Sequence, residues 1–349
     1  MNHKILQILK NGGLFVLLLG LTFYIILKDN SLSQIASAVS DVELPYIFLG
    51  IGAMAIFLSC EALNIMRCLK LFGYEVSPLS AMKYAAVGFF FSSVTPSASG
   101  GQPMQVYYMY KDHIEVSHST LALLFELLSF ETVTVTLSII GFLYQRNTIS
   151  ASMGNLKYLL LIGVGLNLIV MLLLIMAIFS RNAIKKAAKA VTRLVGFFSK
   201  TKADVLEELF TEQITEYQQS ARYFKENKMI FAKTLTTTLV QIMAMYSVPF
   251  LVYKGFGLGD FNVLEVIALQ AVLYVAVSAL PLPGALGVSE SAFMILFRTM
   301  FPAGILSSAM VLSRGISFYL FVLVTGLCVA GLVLIKKKGA SYGLYHTNC

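Results

Sequence analysis

Long apolar stretches, separated by short polar and charged segments, set the first expectation for this chain. Continuous apolar segments run at about 12–27, 45–66, 119–144, 157–179, 230–253 and 304–335. Each approaches the roughly 20 residues that a helix needs to cross about 30 Å of hydrocarbon. None alternates with the period of a barrel strand. Two further segments, 79–112 and 263–302, are hydrophobic but carry Pro, Gly and Ser at their middles, so neither reads as a single straight helix. The expected fold is an all-α integral membrane protein forming a single domain over 1–349, with about six full transmembrane helices plus two re-entrant or broken helical hairpins.

Charge placement turns this list into a topology. Arg181, Lys185, Lys186, Lys189, Arg193, Lys200 and Lys202 fall in a stretch with no acidic residue, which the positive-inside bias places in the cytoplasm. Lys336–Lys338 and the basic group Arg67, Lys70 and Lys83 belong on the same side, and the more acidic 28–43 outside. These assignments close only if the hairpin at 79–112 enters and leaves from the inside and that at 263–302 from the outside. The chain then reads as an inverted repeat, with a first half at 45–144 and a second at 230–335. Offsets of 188 and 187 residues lay Glu126-Leu-Leu-Ser-Phe130 on Arg314-Gly-Ile-Ser-Phe318 and Gly100 on Gly287. Between the halves, 180–229 reads as a cytoplasmic linker. It opens with an amphipathic helix whose apolar positions Ile184, Ala187, Ala188, Val191, Leu194, Val195 and Phe198 lie opposite the lysines.

Composition agrees: 57% of residues are apolar and 13% charged, with mean hydropathy +0.78. The net charge of +8 sits beside hydrophobic runs, where it faces anionic headgroups rather than nucleic acid. Cys60, Cys68, Cys328 and Cys349 form no CxxC pair, and His113 and His118 fall off a common helical face. No metal or other cofactor is expected. The apolar run at 14–27 follows Lys4 and Lys10 like a signal peptide, but Lys28-Asp29 stands where small residues would mark cleavage. A retained first helix and cytoplasmic termini are expected.

The candidate chemistry lies at the breaks. Ser92-Ser-Val-Thr-Pro-Ser-Ala-Ser-Gly-Gly-Gln-Pro103 cannot stay helical, and neither can Leu280-Pro-Leu-Pro-Gly-Ala-Leu-Gly-Val-Ser-Glu290. Irregular backbone at membrane depth survives only where protein buries it or a wet cavity meets it, and free N–H groups at a helix start attract anions. Thr95, Pro96, Gly100, Gly101 and Gln102 are therefore candidates on the inner side of a shared cavity, and Pro283, Gly284, Gly287 and Glu290 on the outer. Two packed kinks are the alternative. An intramembrane charge costs at least about 2.5–3.5 kcal/mol, so Glu126 is the expected partner of Arg314, either locking the halves or gripping a phosphate or a proton. Glu131 faces away from Glu126 and is expected to meet a hydroxyl, and Glu61 to sit at the headgroup boundary. Tyr107, Tyr108 and Tyr110 read as interface anchors.

Thr95-Pro-Ser-Ala-Ser-Gly-Gly-Gln-Pro-Met-Gln105, Glu126, Pro283-Gly-Ala-Leu-Gly-Val-Ser-Glu290 and Arg314 resemble the lysylphosphatidylglycerol synthase transmembrane-region family. That family includes the flippase domain of the bacterial multiple peptide resistance factor, which protects against cationic antimicrobial peptides. Its pattern has Gly-Gly-Glu-Pro followed by Arg two residues on, where this chain has Gln102 and Gln105. The resemblance implies a bacterial plasma-membrane transporter that moves an anionic phospholipid, an aminoacylated phospholipid or a lipid-linked headgroup. One rival is an enzyme, phosphatidylglycerol lysyltransferase, although the longest polar stretch, 180–229, is too short for an aminoacyltransferase fold. The other rival is a non-transporting partner of a separately encoded lipid synthase. No GxxxxGK[ST] motif occurs, so an ATP-driven pump is not expected.

Overall fold

Proline and serine set where the helices begin. The computed structural model describes residues 40–146, 156–180, 192–193, 227–278, 280 and 282–342. Helix α1 (Leu44–Lys70) has a proline in its first turn, where no N–H is needed, and closes on Arg67 and Lys70, which complement the helix dipole. Helix α2 (Pro78–Val94) starts behind Ser77, whose side chain accepts the Ser80 N–H at 3.2 Å. One tight turn at Pro96–Ala98 follows, then α3 (Gly101–Lys111) and the long α4 (Val116–Tyr144). Helix α5 (Leu156–Phe179) exposes Leu161, Ile162, Ile169, Leu172 and Leu173, a surface suited to lipid rather than water.

From residue 228 on, a long helical span is again followed by a helix, a tight turn and further helices. Helices α6 (Lys228–Tyr246) and α7 (Val248–Gly255) form one span interrupted at Ser247, ahead of Pro249, which has no N–H to continue the ladder. Helix α8 (Val263–Ser278) starts at a reciprocal cap. Asn262 Oδ1 accepts the Leu264 and Glu265 N–H groups, and Glu265 Oε2 accepts the Asn262 N–H at 2.7 Å. A second tight turn at Pro283–Ala285 leads into α9 (Val288–Leu296). Helices α10 (Ala303–Arg314) and α11 (Leu320–Tyr342) are joined by one π turn, Gly315–Tyr319.

Among the described residues, five helical stretches are long and apolar enough to cross a membrane: Leu44–Lys70, Val116–Tyr144, Tyr158–Ile178, Lys228–Gly255 and Ala303–Val333. They match five of the six expected spans. The sixth, 12–27, and almost all of the linker 180–229 lie outside the described residues. The first limbs of the two hairpins are nearly equal in length: α2 has 17 residues and α8 has 16, about 25 Å each at 1.5 Å per residue.

Small residues let the helices close on one another. A Cβ at Gly141 of α4 would stand 2.7 Å from the Ala268 carbonyl oxygen of α8, and one at Gly163 of α5 2.3 Å from that of Val275. Helix α8 is consequently sunk between α4 and α5, and nearly all of it from Val266 to Val277 is buried. Helix α2 lies between α1, α3 and α11, and α1 packs along α6. These placements bring the two tight turns together.

Candidate functional site

Both tips open with a similar turn. Thr95 and Leu282 are extended, and each precedes a proline and then two residues of positive φ: Ser97 (50°) and Ala98 (53°) in one tip, Gly284 (57°) and Ala285 (51°) in the other. Three of these four carry a Cβ in a region that disfavours it, and such strain concentrates at functional sites. The two turns pack against each other, and the second also rests on α2.

The first tip is closed largely by its own groups. Thr95 Oγ1 accepts the Gly100 N–H at 2.9 Å and donates to the Phe91 carbonyl at 2.6 Å, while Ser92 Oγ donates to the Ala98 carbonyl at 3.4 Å. A Cβ at Gly101 would stand 2.0 Å from Ser92 Oγ, so only glycine lets α3 start this close to α2. Pro96, Ser97, Ala98 and Ser99 are exposed, and Gln102 is partly exposed. The Gly100 N–H, expected to be a free anion donor, has an internal partner.

The second tip carries the charge. Arg314 Nε donates to Glu290 Oε1 at 2.9 Å, and Arg314 Nη2 donates to the Gly284 carbonyl at the same distance. Tyr319 OH donates to Glu290 Oε1 at 3.0 Å, and the Gly287 N–H donates to Glu290 Oε2 at 2.7 Å. Glu290 therefore clamps the start of α9 and the guanidinium at once. The Arg314 and Glu290 side chains are 17% and 12% exposed, so the pair is mostly shielded but open at one edge. The guanidinium also lies 4.5 Å from the centroid of the Phe318 ring. The π turn directly after Arg314 holds both Phe318 and Tyr319, and such turns recur at functional sites. Phe318 packs with Val87, Phe90 and Val94 of α2, linking this cluster to the first hairpin.

Of the expected site residues, the structure joins Pro283, Gly284, Gly287, Glu290 and Arg314 in one cluster and sets Thr95, Pro96, Gly100 and Gly101 in the adjoining turn. The expected Glu126–Arg314 pair is corrected: Arg314 pairs with Glu290 across the second hairpin. Glu126 instead lies within electrostatic reach of Glu61 and Cys68 in the α1–α4 interface. Glu61 is engaged from α3: Gln105 Nε2 donates to its Oε1 at 3.0 Å and to the Tyr84 carbonyl at 3.2 Å. A Cβ at Gly88 would meet that amide at 2.3 Å, so Gly88 makes its room. Tyr319 and Phe318 escaped the sequence reading, although Phe318 lies four residues past Arg314 and hence on its helical face.

An all-helical bundle with several membrane-crossing helices and two facing broken turns defines a multi-pass membrane protein. The chain belongs to the lysylphosphatidylglycerol synthase TM region family, which it matches over residues 12–325. It is similar to a UPF0104 membrane protein of Archaeoglobus fulgidus, with 24% identity over 285 residues, 79% of this chain and 83% of the relative.

Proposed function

We propose that the protein is a flippase-like transporter. It binds the headgroup of an anionic or lipid-linked membrane lipid between two inverted halves and moves it across the plasma membrane. The observation that carries this reading is the meeting of two similarly built turns beside a shielded Glu290–Arg314 pair. Reciprocal packing supports the inverted halves. The first limb of each hairpin lies against the last helix of the other half, α2 on α11 and α8 on α4, while the opening helices α1 and α6 pair with each other. In this reading the hairpins enter from opposite faces, and both termini are cytoplasmic.

Two of the five guanidinium donors of Arg314 go to Glu290 and Gly284. An arriving phosphate competes with Glu290 for this planar fork, which suits a phosphate better than a lysine ammonium does. Headgroup binding thereby loosens the link between α9 and α10 and lets the second tip move. Reconstitution with fluorescent lipids of different headgroups tests the proposal. Selective movement of anionic lipids supports it. Equal scrambling of every headgroup, or movement of none, contradicts it. Purified protein that makes lysylphosphatidylglycerol from charged tRNA would establish the enzyme reading instead.

A further inference from the structure

Away from both tips, a buried polar group sits where α4, α6 and α8 meet. Glu131 lies near the middle of α4, and its Oε2 is fully enclosed with no hydrogen-bond partner among the described residues. Near it are Tyr246 of α6 and Tyr274 of α8, whose ring centroids are 5.7 Å apart and which both lie within electrostatic reach of its carboxylate; the Tyr274 ring also meets that of Phe130, the residue before Glu131, at 6.1 Å. Tyr246 is wholly buried, yet its hydroxyl has no partner either. One turn before Tyr274 on α8, Gln270 also holds an enclosed and unpartnered Oε1. Val133, Ile242, Ile267 and Ala271 pack with Tyr246 and Tyr274 and give the junction an apolar setting. Buried polar atoms are nearly always paired, so three at one junction indicate something that the protein fold alone does not supply.

Among the described residues, no hydrogen bond or ion pair joins a cation to Glu131. From α1, Glu61 and Arg67 belong to the side of α4 that carries Glu126. From α3, Gln105 is committed to Glu61, and Tyr107, Tyr108 and Lys111 lie toward the start of α4, where Lys111 sits over the Tyr107 ring at 3.6 Å. Opposite this level, α5 presents Met171, 3.9 Å from Thr132 Oγ1. An unpaired carboxylate at membrane depth is unfavourable, whereas a carboxylic acid is neutral and gains an O–H donor that a tyrosine or amide oxygen can accept.

We propose that Glu131, with Tyr246, Tyr274 and Gln270, forms an intramembrane proton-binding site, separate from the Glu290–Arg314 pair. Its further role, coupling proton movement to the second hairpin through α8, rests on the transport reading above. Helix α8 delivers the second tip, and its end is held by Asn167 Nδ2 donating to Ser278 Oγ at 3.1 Å. Taking up or losing the proton at Glu131 changes what Tyr274 faces and so biases the position of α8.

A hydrophobic carbodiimide, across whose C=N bond a protonated carboxyl adds to give an O-acylisourea, tests the site on the intact, reconstituted protein. Peptide mass spectrometry should find an adduct on Glu131 that declines as pH rises. Glu131→Gln should abolish it, and Tyr246→Phe should shift the pH at which it disappears. Absence of an adduct on Glu131 at every pH, or one suppressed by sodium with no pH dependence, would overturn the assignment. The Tyr246→Phe shift reads out even if Glu131→Gln does not fold. Because labelling needs no lipid movement, a pH-dependent adduct in a protein that moves no lipid upholds the site and rejects transport.

Discussion

At residues 95–98 and 282–285 the chain makes the same turn twice, with opposite chemistry around it. The first turn is neutral, exposed and tied by the Thr95 hydroxyl. The second is wrapped around an ion pair, with Tyr319 and the Gly287 N–H completing the carboxylate's partners. The comparison separates two requirements. The turn itself needs only proline, positive φ and a local acceptor, because the first tip forms it without charge. Charge at the second tip therefore answers to something other than chain geometry.

The sharpest way to break this contrast is Arg314→Ala. It strands a mostly buried carboxylate and frees the Gly284 carbonyl, and truncating one member of such a pair costs about 3 kcal/mol. Thermal unfolding in detergent should drop clearly, and lipid movement should be lost. The double variant Glu290→Gln/Arg314→Met should recover much of the stability without the transport. Recovery of both would leave the pair a mere structural lock.

Next in size is the exchange of tip residues. A Cβ on Gly284 would stand 2.2 Å from the Phe318 ring, at a φ of 57°. Gly284→Ser should therefore cost about 2 kcal/mol, seen as a lower melting temperature. Ser97→Gly, at an exposed position of nearly the same φ, should change stability by less than about 1 kcal/mol. Equal effects would show that the two tips are not differently packed.

A smaller effect is expected from Thr95→Val, which leaves the Gly100 N–H without its acceptor. The loss should be about 1 kcal/mol, and faster amide exchange at Gly100 would report it directly. Unchanged exchange there would mean that Thr95 does not hold the turn.

The smallest effect concerns the open end of the first hairpin, outside the spans. Burial alone would raise the Asp112 carboxyl, but hydrogen bonds from Lys83 Nζ and Tyr84 OH hold it below the ordinary aspartate value. A depressed folded-state value means that this tie stabilises above the ordinary value of about 3.9. Its contribution is lost as pH falls through the lowered one. Asp112→Asn should flatten that acid limb in a stability-versus-pH curve.

Much of this architecture was legible in the sequence because lipid imposes it. Span length and apolar continuity located the five described spans, and Pro96 and Pro283 located the turns. Side-chain partners were less legible. The 188-residue offset set Glu126 against Arg314, but an internal repeat relates positions by symmetry rather than by contact. Arg314 instead meets Glu290, 24 residues back along the chain, because α9 folds beside α10. Glu61 was expected at the headgroup boundary because Arg67 follows it closely; its hydrogen-bond partner, Gln105, comes from another helix and leaves no signal in that spacing. Glu131 was expected to meet a hydroxyl. The two tyrosines near it come from α6 and α8, and no spacing within α4 could reveal them.

The most direct test of the central claim compares headgroup selectivity in liposomes for the unaltered protein and for Glu290→Gln/Arg314→Met, with folding verified for both. The account predicts that the unaltered protein moves phosphatidylglycerol in preference to phosphatidylcholine and that the double variant loses the movement. An undiminished, equally selective rate in the double variant would contradict it.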